Sequence, residues 1–181
     1  MRASGLGVFG ATRSRLELAR LAMRDSTLSH PHPVCQQACA VFVTTIADAL
    51  NTGHSGPELF ERAVTFARAH APLVVSTLEQ ARVELPVSDG ENQGWVRIAL
   101  QHAFFQLLHA REFEAALSST VLKGGDADTN GCVTGALLGA TFGVEAIPSR
   151  WRQVVGDALP VRPPSYRCGD LDALADQLMT L

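Results

Sequence analysis

The residues best suited to do chemistry lie together in one short polar stretch, residues 123–131 (KGGDADTNG). Within five residues it supplies two carboxylates, a hydroxyl and an amide, from Asp126, Asp128, Thr129 and Asn130. Glycines on both sides favour a tight turn. Hard oxygen ligands of this kind suit Mg²⁺ or Ca²⁺ and do not suit zinc or copper. The stretch therefore predicts a divalent-cation site.

The same stretch partly matches the calcium-binding loop of an EF-hand. Asp126, Asp128, Asn130 and Gly131 fit the first, third, fifth and sixth positions of that loop. The twelfth position calls for a bidentate Glu, and the sequence has Leu137 there. The EF-hand is therefore the weaker alternative for this stretch.

An apolar run, residues 132–144, follows the polar stretch. Glycines at positions 131, 135, 139 and 143 recur every fourth residue, so they lie on one face of a predicted helix. Each Gly costs a helix about 1 kcal/mol relative to Ala, and we expect another backbone to approach closely along this face. A membrane span is not predicted, because Glu145 and Pro148 interrupt the run before about 18 residues. The run predicts a buried core helix that begins at the polar stretch.

These residues resemble the C-terminal signature of the ADP-ribosylglycohydrolase family. The resemblance is carried by residues 124–131 (GGDADTNG), residues 135–140 (GALLGA), Gly143, Ile147-Pro148 and Trp151. It implies an all-α fold, an orthogonal multi-helical bundle. It also implies hydrolysis of an ADP-ribosyl linkage on a modified protein side chain or a small adduct, with two Mg²⁺ ions in the complete site and Mn²⁺ as an alternative.

The resemblance also implies roles for individual residues of the polar stretch. Asp126, Asp128 and Thr129 correspond to metal ligands, and Asp126 and Asp128 to catalytic residues. The metal would orient the sugar and activate water while the glycosidic bond breaks toward an oxocarbenium-like state.

The beginning of the chain resembles a segment from the middle of the family domain. Residues 1–7 (MRASGLG) match a segment in which Met-Arg is followed by Pro-Leu-Gly, with Gly5 in place of the proline. The Thr-Asp-Asp metal motif that opens the family domain has no counterpart in this sequence. We therefore expect one helical domain, 1–181, equivalent to the C-terminal portion of the family domain. Activity would need a complementing N-terminal segment or second chain; the alternative is a non-catalytic, degenerate ADP-ribose-binding remnant.

Three further residues are predicted to bind substrate by resemblance. Ser29-His30 is similar to a Thr-His pair of the family, so His30 would contact ADP-ribose. Gly94-Trp95 is similar to a Gly-Tyr or Gly-Trp that precedes further aromatics, so Trp95 and Phe105 would line the pocket. On sequence grounds alone, such aromatics are more often core residues than ligand platforms. His102, on the same predicted helix, is interpreted as a core or solvated histidine.

Two other motifs suggest different chemistry. His30, His32, Cys35 and Cys39 lie close enough in sequence to suggest zinc, although a proline-started helix with buried thiols explains them as well. Residues 5–10 (GLGVFG) match the G-x-G-x-x-G dinucleotide fingerprint. That fingerprint needs a preceding strand, and residues 1–4 are too few to form one.

The remaining sequence predicts a series of helices and an ordinary globular composition. We expect helices over residues 12–23, 74–83, 93–109 and 112–121, a helix with an apolar stripe from Cys39 to Leu50, one opened by a Ser55–Glu58 capping box, a short packed helix around Trp151, Val154 and Val155, and a last helix capped by Asp170. A net charge of -3 does not indicate an excess of positive charge for binding nucleic acid or a membrane surface. No signal peptide is visible, and four cysteines without a disulfide framework fit a cytoplasmic protein.

Overall fold

The computed structural model of this protein describes residues 1–157 and 171–180. These residues form ten α-helices and two short 3-10 turns, without any strand. The helices are α1 (Ser4–Phe9), α2 (Arg15–Thr27), α3 (Pro33–Thr52), α4 (Gly56–His70), α5 (Val75–Ala81), α6 (Val96–His109), α7 (Phe113–Leu122), α8 (Ala127–Phe142), α9 (Ser149–Asp157) and α10 (Leu171–Thr180). The predicted all-α class is confirmed. Helix α1 covers residues 5–9 of the G-x-G-x-x-G match, which excludes the dinucleotide fold.

Helix α3 is the central element, because α1, α2, α4, α6 and α8 all pack against it. Its buried residues occur on every side of the helix and include Val34, Ala38, Val41, Phe42, Val43, Ile46 and Ala49. Among the described residues, α3 alone is long and apolar enough to cross a membrane. Its burial among other helices is equally typical of the core helix of a folded domain.

Local capping signals decide where several helices begin. Ser14 accepts the backbone N–H of Glu17, so α2 starts at Arg15, three residues after the predicted start. Glu58 accepts the backbone N–H of Ser55 at 2.8 Å, which confirms the predicted capping box of α4. Pro33 opens α3, as expected for a proline at the first helical position.

The second half of the domain carries the polar stretch. Helix α6 packs against α4, α5 and α8, and α7 packs along α8. Trp151 of α9 meets the Phe113 ring edge-on at 6.4 Å, so this part of the predicted packed helix is confirmed. Val154 and Val155 are exposed, however, and the expectation that they pack is wrong within the described residues. Asp170, the predicted cap of α10, lies outside the described residues.

Among the described residues, no other backbone approaches the glycine face of α8, contrary to our expectation. A Cβ built on Gly131 would lie 3.1 Å from the Val121 side chain, and one on Gly135 would lie 3.6 Å from the Leu117 side chain, both on α7. A Cβ on Gly139 would meet nothing within 4 Å in the part of the chain that is described. The tight backbone approach occurs instead at Gly56, where a Cβ would lie 2.0 Å from the carbonyl oxygen of Leu107 on α6.

These two environments predict opposite effects of the same substitution. Gly139→Ala should stabilise the protein by about 0.5–1 kcal/mol, because Ala is the better helix former and the added methyl meets open space. Gly56→Ala should destabilise it by about 1–3 kcal/mol, because the methyl would displace a backbone carbonyl. Urea unfolding of both variants tests this, and equal losses of stability would contradict the described packing of α8.

Candidate functional site

Two consecutive glycines shape the turn that leads into α8. Gly124 and Gly125 have φ angles of 75° and 65°, in the left-handed region that favours glycine. Asp126 follows with φ -77° and ψ 60°, and the N–H of Ala127 donates to the carbonyl of Gly125 at 2.8 Å. This is an inverse γ-turn. The polar stretch is therefore a sharp loop-to-helix junction with Asp126 at its corner.

The helix begins within the polar stretch, which excludes the EF-hand. Residues from Ala127 to Phe142 form one continuous helix, so no twelve-residue loop runs from Asp126 to Leu137. Leu137, at the twelfth position, is fully buried.

Two carboxylates lie side by side at this helix N-terminus. Asp128 is exposed, and its Oδ1 accepts the backbone N–H of Thr129 at 2.8 Å. A hydrogen bond with the Asp126 side chain, followed by the bond from the Thr129 N–H, lowers the pKa of the Asp128 carboxyl. The two side chains are thus close together, and the positive end of the helix dipole favours negative charge at this position.

The donor set at this junction fits a hard divalent cation. Among the described residues, neither Asp126 nor Asp128 forms a salt bridge, so no protein cation offsets the neighbouring negative charges. Asp126, Asp128 and the Thr129 hydroxyl are oxygen donors of the kind that Mg²⁺ or Mn²⁺ prefers. Residues 1–157 and 171–180 contain no group of three or more His, Cys, Asp or Glu side chains placed to share a metal ion. The described residues thus contribute one compact set of ligands.

The segment between α5 and α6 packs directly against this junction. A Cβ built on Gly125 would lie only 1.6 Å from the backbone oxygen of Ser88, so the two backbones are in close contact. At the far end of the same segment, a Cβ on Gly94 would lie 3.7 Å from Oδ2 of Asp126. The segment therefore borders the predicted metal ligand Asp126 as well as the turn that holds it.

The residue after Gly94 links the site to the beginning of α3. Trp95 is 37% exposed and meets the ring of His32 edge-on, with 5.4 Å between ring centroids. His32 caps α3, because its Nδ1 accepts the backbone N–H of Val34 at 3.2 Å. Sequence reasoning assigned substrate contact to His30 and considered His32 only as a possible zinc ligand, so it missed the capping role of His32 and its contact with Trp95. The proline after His32, which marks it as a helix cap, was the available signal.

The structure brings some predicted substrate-binding residues together and leaves others apart. His30 is exposed, and its Nδ1 lies 2.9 Å from Oγ of Ser29 in the same loop as His32. Phe105 lies ten residues after Trp95, roughly 15 Å along the helix axis. Its ring packs against His109, at 4.4 Å between centroids. Phe105 therefore lies toward the C-terminal end of α6, away from Trp95. Contacts of His30 and Phe105 with ADP-ribose stay predictions.

The residues that suggested zinc do not assemble a site in the structure. His30 and His32 are exposed, whereas Cys35 is buried. Burial raises the pKa of both the Cys35 and the Cys39 thiol, which keeps them protonated and makes them weak metal ligands. The buried-thiol interpretation therefore fits this part of α3 better.

His102 is the one fully buried histidine among the described residues. Its Nε2 lies 2.7 Å from Oγ of Ser88, in the segment that borders the loop-to-helix junction at Asp126. Burial, and to a lesser extent the charge of Lys123, lower the pKa of His102 to about 4. The side chain is therefore neutral near pH 7.

This buried histidine predicts a loss of stability in mild acid. The unfolded chain binds a proton near pH 6.5 and the folded chain only near pH 4, so the free energy of unfolding falls as the pH drops between these values. The loss amounts to as much as about 3 kcal/mol. Urea unfolding of the wild type and of His102→Gln between pH 7 and 4.5 measures it. Superimposable pH profiles would contradict the prediction.

Comparison with known proteins agrees with the helical fold and the motif. A model of the ADP-ribosylglycohydrolase family matches residues 1–181. The ADP-ribosyl-[dinitrogen reductase] glycohydrolase of Rhodospirillum rubrum is 27% identical over 135 residues, which is 75% of this chain and 42% of that protein. A provisionally named ADP-ribosyl glycohydrolase of Acanthamoeba polyphaga mimivirus is 25% identical over 154 residues, 78% of this chain and 46% of its own length. The chain thus spans less than half the length of these two relatives, and it belongs to the ADP-ribosylglycohydrolase family.

Proposed function

We propose that this chain takes part in the Mg²⁺-dependent hydrolysis of an ADP-ribosyl glycosidic linkage on a modified protein side chain or a small adduct. The observation that carries the proposal is the pair of neighbouring carboxylates at the start of α8, Asp126 and Asp128, which form no salt bridge among the described residues. Family membership supports the reaction class, and the name of the bacterial relative describes removal of ADP-ribosyl groups. The substrate class is therefore an ADP-ribosylated protein or adduct.

The metal ligands in this proposal are Asp126, Asp128 and Thr129. A bound Mg²⁺ would supply a Lewis acid for a water molecule and the ribose hydroxyls. Asp126, at the corner of the γ-turn, would supply one carboxylate to the ion. Asp128, fixed by the Thr129 N–H, would add the second carboxylate. Together the two carboxylates would keep the ion in place while the glycosidic bond breaks toward an oxocarbenium-like state.

The exposed rings beside the junction would hold the rest of the substrate. Trp95 follows Gly94, whose built Cβ lies 3.7 Å from Oδ2 of Asp126, and its side chain is 37% exposed. We propose that the exposed part of the indole stacks on a base or a sugar. The His32 ring contacts that indole nearly at a right angle, and His30 stands two residues earlier in the same exposed loop. These residues would orient the ADP-ribosyl group and leave the chemistry to the carboxylates.

Turnover requires more ligands than the described residues bring together. A two-metal site needs ligands on both sides of the reacting oxygens, and Asp126, Asp128 and Thr129 form one set. We propose that a Thr-Asp-Asp segment, in a complementing N-terminal segment or a second chain, supplies the other set. If no such segment acts with this chain, the single set of ligands favours the alternative, a non-catalytic ADP-ribose-binding remnant.

We also propose that the protein acts in the cytoplasm, without nucleic acid or a membrane as partner. Cys35, Cys39 and Cys132 are free thiols in the structure, which suits a reducing compartment. The slightly negative net charge of -3 supports neither a phosphate backbone nor an anionic lipid surface as a ligand.

The metal site predicts a stabilising response to divalent cations. Millimolar Mg²⁺ or Mn²⁺ should raise the melting temperature, because a ligand that binds only the folded state stabilises it by mass action. Asp128→Asn should abolish most of this response with unchanged helix content by circular dichroism. Asp176→Asn, at an exposed aspartate of α10, is the matched control and should respond as the wild type does. An equal response in both variants would refute the assignment of the ligands.

The incomplete ligand set predicts little or no turnover by the purified chain. Release of free ADP-ribose from ADP-ribosylated arginine or serine peptides, with Mg²⁺ present, measures activity. Addition of a Thr-Asp-Asp-bearing segment should restore release, and Asp126→Ala should abolish the restored activity. Robust release by the chain alone that is lost in Asp126→Ala would show that it needs no complementing segment.

A further inference from the structure

We propose that His102 is a positioning residue for the metal site formed by Asp126, Asp128 and Thr129, and that it acts through Ser88. The inference rests on the proposed function, because it concerns the same metal site. It adds a residue on α6 that touches none of the three proposed ligands in the described contacts and that the family motif does not include.

The first link is the contact between His102 and Ser88. His102 is fully buried, Ser88 is 3% exposed, and Nε2 of the imidazole lies 2.7 Å from the serine hydroxyl. Ser88 lies in the irregular segment between α5 and α6, where no backbone hydrogen-bond ladder holds it. Its other side-chain contact is a long one, 3.4 Å to the carbonyl of Pro86 two residues away. The histidine is therefore what ties Ser88 to the rigid helix α6.

The second link is the contact between Ser88 and the metal-binding turn. The space where Gly125 would carry a Cβ is occupied by the Ser88 carbonyl, with 1.6 Å to its oxygen and 2.5 Å to its carbon. Gly125 directly precedes Asp126 and provides the carbonyl that closes the γ-turn. A shift of Ser88 would therefore change the packing of the turn that aims Asp126.

The third observation concerns why a histidine stands at this buried position. Its Nδ1 has no hydrogen-bond partner among the described residues, and a buried unpartnered polar atom costs free energy. An apolar side chain of similar size would fill the same space of the core without that cost. The contact that distinguishes His102 from such a side chain is the one from Nε2 to Ser88. The structure thus supports a role for that hydrogen bond beyond core packing.

The test measures the Mn²⁺ affinity of the purified full chain by electron paramagnetic resonance. His102→Leu and Ser88→Ala should each weaken Mn²⁺ binding about 10-fold or more, as loss of residues that orient metal ligands typically does. The double variant should be no weaker than either single variant, because both remove the same contact. His102→Gln keeps an amide nitrogen near the position of Nε2 and should restore affinity to within about threefold of the wild type.

Gln101 offers a matched control on the same helix. It is also buried, and its Nε2 donates to the carbonyl of Glu84, in the same segment but away from Gly125. Gln101→Leu should therefore lower the melting temperature of the metal-free protein and leave the Mn²⁺ affinity within about twofold of the wild type. A merely structural role of His102 would produce this same pattern in His102→Leu.

The outcomes separate the two proposals. Wild-type chain that binds no Mn²⁺ would overturn the proposed metal site, and the role of His102 with it. Wild-type binding that is equally strong in Ser88→Ala and His102→Leu would overturn the positioning role and leave the metal site intact. If His102→Leu does not fold, Ser88→Ala and His102→Gln decide; normal affinity in Ser88→Ala, or a 10-fold loss in His102→Gln, overturns the inference.

Discussion

The proposed site depends on one contact between two backbones, at which the Ser88 carbonyl fills the space where Gly125 would carry a Cβ. Only glycine fits there, both because of that carbonyl and because the residue has a φ of 65°. The contact joins the segment that precedes α6 to the turn that precedes α8. Helices α6 and α8 also pack against each other, so the core fixes the position of one segment relative to the other. Asp126, which directly follows Gly125, is positioned with them.

Electrostatics explains why this junction suits a cation. Two carboxylates stand side by side where the N-terminal end of α8 favours negative charge, and no arginine or lysine of the described chain pairs with them. A divalent ion bound at these two carboxyl groups would supply positive charge where no described arginine or lysine does. Several acidic residues elsewhere in the domain are instead paired with an arginine. Glu61 and Glu79, for example, share Arg82, whose guanidinium lowers the pKa of both carboxyl groups.

The described part of the domain separates stability from chemistry. Helix α3 and the residues packed on it form the main core, and they contribute none of the proposed metal ligands. The proposed site is built where three chain segments meet at the surface: the loop before α3 with His32, the segment before α6 with Trp95, and the turn before α8 with Asp126. Helix beginnings supply all three, so the fold presents short loops held by buried helices.

Sequence alone determined the features that depend on neighbouring residues. These include the all-α class, the capping box at Ser55, and the polar stretch that opens α8 at Asp126, because helix periodicity, caps and motif spacing are local signals. Tertiary structure decided which distant residues meet. His32 rather than His30 touches Trp95, Phe105 lies at the far end of α6, and His102 reaches Ser88 across fourteen positions. The glycine row of α8 was mispredicted for the same reason: spacing places residues on one face of a helix, but only the packing of the helices decides what that face meets.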